Sequence, residues 1–89
     1  ICGSGAGVDI VANKFPRVRS VLAISTDQVL MAREDDDVNV LSLAADFIEE
    51  AAAKKIVSIW LQTPFSGEAK NKRRLDKISD IEKQLKANS

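Results

Sequence analysis

The chain reads as an α/β domain in three layers, a parallel sheet between helices, of which it carries the second half and a C-terminal helix. Three observations predict this. Short β-compatible runs, "RSVLAI" and "VNVLSL", alternate with longer stretches of helical spacing, the pattern of a parallel sheet with covering helices. A glycine-rich loop, "CGSGAG", separates a helix from Ile1 and Cys2, which look like the last residues of a strand. Only two further strands follow, and two strands alone leave sheet edges and helix faces unpartnered. Residues 1–89 are therefore expected to form a single, N-terminally truncated domain, with 68–89 as its final helix.

The elements follow in order. Val8, Ile10, Val11 and Ala12 predict a short helix from about Gly5 to Asn13, ended before Pro16. Arg19–Ile24 reads as a buried strand. In "STDQVLMARE", Ser25 or Thr26 caps a helix, with Gln28 in capping-box register to Ser25. Its apolar side is Val29, Leu30 and Ala32 or Arg33. The chain then turns at the acids of "DDDVNVLSLAA" and forms a strand over Val38–Leu43. "DFIEEAAAKKIVSIWLQ" is a helix with leading acids, later lysines, and Ile48, Ala52, Ile56, Ile59 and Trp60 near one face. "TPFSG" breaks it. The last segment, "EAKNKRRLDKISDIEKQLKANS", is a polar helix whose packing stripe is Leu75, Ile78, Ile81 and Leu85.

Composition limits the functions available. A chain of 89 residues with 45% hydrophobic and 29% charged residues is globular rather than disordered. No apolar run approaches the ~20 residues of a membrane span, and no basic-then-apolar leader is visible. One Cys and no His argue against an internal disulfide and against zinc, and fit a reducing cytoplasm. The formal charge is zero, which speaks against general nucleic-acid binding. The charge is uneven: Asp27, Glu34, Asp35, Asp36, Asp37, Asp46, Glu49 and Glu50 face only Arg33 within 27–50, whereas "KNKRR" makes the last helix locally basic.

The glycine loop leaves two readings open. Successive backbone N–H groups at a helix start suit an anion, which would make "CGSGAG" an oxyanion or phosphate cradle with a thiol at its rim. A flexible terminus and a Cys used as a small hydrophobe would give the same letters. The dinucleotide fingerprint fails because Val8 stands where its third Gly belongs; Asp27, some 20 residues on, is all that favours it. The phosphate-binding G-x-x-x-x-G-K-[ST] pattern is absent.

Taken together, "ICGSGAGVDIVANKFP", the Arg of "RVRSVLA", "AREDDDVNVLSLAADF", "AKKIVSIWLQTPFSG" and "RRLDKISDIE" resemble the ribose 5-phosphate isomerase B family, which includes the galactose 6-phosphate isomerase subunits. The pieces are collinear over nearly the whole chain. The resemblance implies a Rossmann-like α/β/α fold and an aldose–ketose sugar-phosphate isomerase working without cofactor or metal. It implies a homodimer or homotetramer with active sites at the subunit interface, acting on a small phosphosugar and not on nucleic acid or membrane. The preceding residues would carry a first βα unit with a substrate-contacting Asp and His. By the same resemblance Cys2 is the base that moves a proton between C1 and C2. Backbone amides of Gly3, Gly5, Ala6 and Gly7 hold the enediolate oxygen, and Ser4 adds a hydroxyl. Relatives that use a Glu instead carry it where this chain has Val8. Lys70 and Arg74 fall on phosphate-binding positions, i and i+4 on one helix face; a solvated basic face is the plain alternative.

Three residues depart from the family pattern. Asp35 and Asp36 replace a His-Asn pair whose His is assigned to ring opening, and Asp46 replaces a substrate-contacting Arg. Asp35 is retained as a catalytic candidate and Asp36 as a substrate-binding one, against a solvated turn or, less simply, a cation site. Parallel sheets bind ligands outside the carboxyl ends of their strands, where both the glycine loop and "EDDD" are expected. The replacements also allow a non-catalytic phosphosugar-binding paralogue or an oligomer subunit.

Overall fold

Side chains alternate across β1 (Ser20–Leu22) and β2 (Val40–Ser42), and that alternation decides which helix covers which face. In this computed structural model, which describes residues 1–87, the strands pair in parallel, Ser20 opposite Val40 and Leu22 opposite Ser42. Cys2 bridges Ala44, also in parallel. The Ser42 carbonyl accepts from the Ala23 N–H at 3.0 Å, and the next carbonyl, that of Leu43, accepts from the Cys2 N–H at 3.2 Å. Successive carbonyls point to opposite edges, so β2 lies in the middle, between β1 and the Cys2 segment.

On one face, Ala23, Leu41 and Leu43 pack against Val29 of α2 (Thr26–Asp36) and Ile56 of α3 (Glu50–Gln62), joined by Ile48, Val57, Ile59 and Trp60. The other face carries α1 (Ala6–Ala12). Gly5 meets Leu22 and Ala44 there, and a polar relay replaces apolar packing. The Ser20 hydroxyl donates to Asp9 at 2.7 Å and lies 3.0 Å from the buried Ser42 hydroxyl. This gives the Rossmann-like α/β/α layering expected of the sequence.

Local chemistry sets the boundaries. Ser25 caps α2 by accepting from the Gln28 N–H at 3.1 Å, and the Gln28 side chain reaches back to the Ile24 N–H at 3.0 Å. That contact ends β1 before Ile24, which the sequence had placed in the strand. α2 continues through Asp36, two residues past the expected "STDQVLMARE", and stops at Asp37, whose φ is 46°. α3 begins at Glu50 rather than Asp46 because Asp46 N–H donates to Gly3 O at 2.9 Å while Phe47 and Ile48 N–H turn back to Ala44 O. Ala52, expected on the packed face, is exposed. Arg33 pins the opposite end of this face: Nε donates to Thr63 O at 2.9 Å, Nη1 to Val38 O at 2.6 Å, and the guanidinium lies 4.7 Å from the Trp60 ring centre.

The last helix, α4 (Ala69–Ala87), corrects the expected packing. Ser66 N–H donates to Glu34 O, the fully buried Asn71 reaches Ser66 Oγ at 3.2 Å and Asp35 Oδ1 at 3.4 Å, and Glu82 accepts from the Arg17 N–H at 3.1 Å. These anchors sit at the ends of α2 and of the segment entering β1, so α4 runs along the amino-terminal edge of the sheet rather than across a face. Its apolar stripe stays open beyond the half-buried Leu75, with Ile78, Ile81 and Leu85 exposed by 43%, 55% and 66%. Asn88 and Ser89, assigned to this helix from the sequence, lie outside the described residues. The whole is flat, 42 × 30 × 14 Å, with a radius of gyration of 14.0 Å. A compact chain of this length would have about 12 Å. Among the described residues nothing covers Ile10 and Val11 on α1 or pairs the outer edge of the Cys2 segment.

Candidate active site

Cys2 closes the carboxyl end of its strand segment, and the chain turns at once through Gly3–Gly5 into α1. The turn needs glycine at Gly5, where φ is 73° and the residue is buried against the sheet. It brings the backbone amides of the first helical turn round to the thiol. The N–H of Val8 does most to hold the Cys2 thiol below its usual pKa; partial desolvation opposes this, and the Gly5 and Gly7 N–H groups reinforce it. These amides have no carbonyl partner within the helix, so a negative charge on sulfur or on a nearby oxygen satisfies them.

The rest of the loop is open to solvent. Ala6 and Gly7 are exposed, with open space around Gly7 Cα. Ser4 is exposed and its hydroxyl accepts from the Ala6 N–H at 3.3 Å. Asp46 holds Gly3 from the β2 side: its N–H donates to the Gly3 carbonyl, and its carboxylate overlies Gly3, with Oδ2 2.6 Å from where a Cβ would stand. Sequence reading noted Asp46 only as a departure from the family; its place just beyond a strand's carboxyl end was the signal that it borders the site.

The second group of expected site residues lies elsewhere. Asp35, Asp36 and Asp37 end a helix and lead into a strand, which puts them at the amino end of the sheet, not the carboxyl end. Asp37 confirms it, pairing at 3.3 Å with Arg19 just before β1. Asp35 is half-buried beside Asn71, and Asp36 is exposed. Lys70, 3.6 Å from Glu68, and the exposed Arg74 lie on the first turns of α4 at that same end. Cys2, Gly3, Ser4, Gly5, Ala6 and Gly7 are thus together, as are Asp35, Asp36, Lys70 and Arg74, on opposite ends of one sheet.

Two open clefts flank the Cys2 end without enclosing the thiol. One, about 410 Å³, lies beyond β1 and β2 between Ile24, Thr26, Phe47, Ile48 and Ile56. The other, about 310 Å³, follows the free edge past Ile1, Leu43, Ala44 and Ala45. Among the described residues no three His, Cys, Asp or Glu side chains converge to hold a metal, and no helix is long and apolar enough to cross a membrane.

Residues 1–78 match the family model described as Ribose/Galactose Isomerase. The chain is 33% identical over 84 residues to ribose-5-phosphate isomerase B of Escherichia coli, covering 94% of this chain and 56% of that protein. It superposes on type B ribose 5-phosphate isomerase of Trypanosoma cruzi with a TM-score of 0.92 at 37% identity, over 94% of this chain and 55% of that one. The Mycoplasma genitalium enzyme, solved with bound ribulose-5-phosphate, gives 0.87 at 39% identity, over 92% and 53%. The chain spans about half the length of the curated relatives it matches. With the Cys-glycine loop, the parallel sheet and all three comparisons in agreement, the chain belongs to the ribose/galactose isomerase family.

Proposed function

We propose that the complete protein interconverts an aldose phosphate and a ketose phosphate of the ribose 5-phosphate/ribulose 5-phosphate type, with Cys2 as the base. The observation that carries this is Cys2 at the carboxyl end of its strand segment, with the left-handed Gly5 turn leading directly into α1 beside it; the Val8, Gly5 and Gly7 N–H groups favour its thiolate. Relatives of the same family are ribose-5-phosphate isomerases B, and one of them is solved with bound ribulose-5-phosphate.

The chemistry follows from the arrangement. Cys2 thiolate removes the proton on C2 of the open-chain aldose, and the electron pair moves into the C1–C2 bond as charge collects on O1. Loop amides hold that oxygen where it becomes negative, which is the usual source of the largest rate gain in such steps. The thiol returns the proton to C1 as the C2 carbonyl forms, with O2 losing its proton and O1 gaining one. No metal or cofactor enters this route. A reducing, cytoplasmic location would keep Cys2 as a thiol.

Phosphate binding is assigned to Lys70 and Arg74, with Asp35 and Asp36 beside them. Because these residues sit at the far end of the sheet from Cys2, the active site is completed by a second copy, as a homodimer or higher assembly. The decisive experiment is isomerase turnover and C2–H exchange with solvent by the complete protein and its Cys2→Ala variant. Loss of at least about two orders of magnitude in both is expected for removal of a general base. Near-wild-type turnover in that variant would remove Cys2 from the role. Phosphosugar binding without exchange in the unmodified protein would favour a non-catalytic paralogue.

A further inference from the structure

α1 has no buried residue, and its large apolar side chains Ile10 and Val11 are each 59% exposed, so hydrophobic packing does not fix where this helix stands. Nor does a helix of seven residues hold itself together. Beyond the Gly5 seat, its ties to the sheet are polar. Asp9 Oδ1 accepts from the Ser20 hydroxyl at 2.7 Å. Asn13 brackets the same residue, accepting from the Ser20 N–H at 2.8 Å and donating to the Ser20 carbonyl at 3.1 Å. Ser20 Oγ also lies 3.0 Å from the Oγ of buried Ser42. A carboxylate only accepts, and a serine has a single O–H. Ser20 directs its proton at Asp9, so Ser42 donates to Ser20, and the two bonds run in one direction from β2 to α1. Both ends of this relay bear on Cys2. Ser42 stands two residues before Ala44, the bridge partner of Cys2, and Asp9 follows Val8, whose N–H does most to favour the thiolate. The Asp9 N–H also closes the first turn of α1 onto the Gly5 carbonyl at 3.2 Å.

We propose that Asp9 is a positioning residue for the isomerase reaction: through Ser20 and Ser42 it fixes α1 against the strand that pairs with Cys2, and so sets where the loop amides stand relative to the reacting thiol. The proposal rests on the isomerase reading above and adds to it a residue that acts through the backbone rather than on the substrate. Linked hydrogen bonds strengthen one another, and removing one partner leaves its neighbour unsatisfied. Without the carboxylate, α1 keeps only Gly5 and Asn13 as ties at its two ends. The reaction is sensitive to such a change, since a misplacement of about 1 Å can cost about 100-fold in rate. Charge alone makes the opposite demand. A carboxylate in this region disfavours a thiolate, so its removal would by charge favour the thiolate, whereas loosened amides would disfavour it. Positioning and charge are therefore separated by sign. The other charges at this end, the Asp46 carboxylate over Gly3 and the Ile1 amino group, are not altered by substitutions at Asp9 or Ser20.

The test compares the complete protein with Asp9→Ala, Asp9→Asn and Ser20→Ala, each measured well below its own denaturation midpoint. In Asp9→Ala, kcat for an aldose 5-phosphate is expected to fall about tenfold or more while KM stays within about twofold, because the phosphate contacts assigned to α4 are untouched. The pH midpoint of Cys2 alkylation is expected to move up by about half a pH unit, which is about a threefold loss of thiolate below the midpoint. Ser20→Ala breaks the same link from the strand side and should give both changes, with little further change in the double variant. Asp9→Asn keeps an acceptor for Ser20 and should recover most of both. An alkylation midpoint that stays or falls in Asp9→Ala and Ser20→Ala, or a kcat within about twofold of wild type in both, would overturn the proposal. A lowered denaturation midpoint with kcat and alkylation unchanged would overturn it too, as a purely structural role. Should Asp9→Ala fail to fold, Ser20→Ala decides by the same two readouts. If the unmodified protein shows no isomerase activity, the isomerase reading fails on its own; the alkylation arm still decides whether Asp9 sets the surroundings of the thiol.

Discussion

Gly5 and Leu22 are in such close contact that a Cβ on Gly5 would lie 2.5 Å from Leu22 Cδ1 and 3.1 Å from both the Cβ and the backbone nitrogen of Ala44. The contact seats the glycine turn on the sheet and thereby aims the amides of α1 at Cys2. Gly5 also has a φ of 73°, which any side chain resists. Overpacking costs about 1–3 kcal/mol and a left-handed non-glycine residue about 1–2 kcal/mol. Gly5→Ala in the complete protein should therefore lose about 3 kcal/mol, read as a lower denaturant midpoint at unchanged m-value. A loss under about 0.5 kcal/mol would mean that the turn is not held as described.

Cys2 should react as a thiolate at a pH where a free thiol is still protonated. Its pKa is lowered chiefly by the Val8 N–H. Alkylation rate against pH should give a midpoint below that of an unstructured thiol. The sign for stability is fixed by the same direction. A lowered folded-state pKa favours the folded form above the thiol's unfolded pKa, and that contribution is lost as pH falls through the folded value. Val8 is the third residue of α1, within the first turn, where proline is tolerated because the N–H has no helical acceptor. Val8→Pro removes that N–H, so the alkylation midpoint should move up toward the free-thiol value. No movement would sink the assignment of the Val8 amide as the principal stabiliser.

Arg33 holds the carboxyl-terminal ends of α2 and α3 together by contacts that a neutral or shorter side chain cannot repeat. It donates to two backbone carbonyls from different segments, Thr63 and Val38, and covers the Trp60 ring. Hydrogen bonds from charged groups contribute about 1.5–3 kcal/mol, and a cation–π contact adds about 0.5–1 kcal/mol. Arg33→Ala should cost about 3 kcal/mol in chemical denaturation. Arg33→Lys should recover less than half, because an ammonium cannot span both carbonyls in one plane. Full recovery by Lys would show that charge alone matters there.

Much of this was legible in the letters, and the rest fails for definable reasons. The glycine loop, the Ser25–Gln28 cap and the α3 face are local patterns, and each forms as its spacing demands. The outer stripe of α4 is not local: Leu75, Ile78, Ile81 and Leu85 read as packing residues, but where a helix lands depends on anchors such as Asn71 and Glu82 that carry no periodic signal. Arg33 reads as an alternative to Ala32 on the apolar side of its helix, and nothing local signals the two carbonyls it holds. "EDDD" was readable and misplaced: a segment between a helix and the strand that follows it must lie at the amino end of a parallel sheet. Asp46 shows the converse, since a residue just past a strand belongs to the carboxyl end, beside Cys2.

The separation of Cys2 from Arg74 makes the shared site directly testable. Asp35 and the start of α4 are tied together through Asn71, and α4 is tied again at Arg17, so Lys70 and Arg74 cannot swing to the Cys2 end without breaking these hydrogen bonds. If the functional site joins Cys2 of one copy to Arg74 of another, Cys2→Ala and Arg74→Ala proteins are each inactive for different reasons. Mixed and reassembled from denaturant, they would form hybrids in which one site combines the intact Cys2 with the intact Arg74, while the other carries both defects. Random pairing puts about half the dimers in the hybrid form, each with one working site of two, so activity should return to about a quarter of wild type, provided that assembly is by mass action. The measurement is isomerase turnover before and after mixing, with size-exclusion chromatography confirming reassembly. Reassembly with no recovered activity would place the complete site within one chain and refute the shared arrangement.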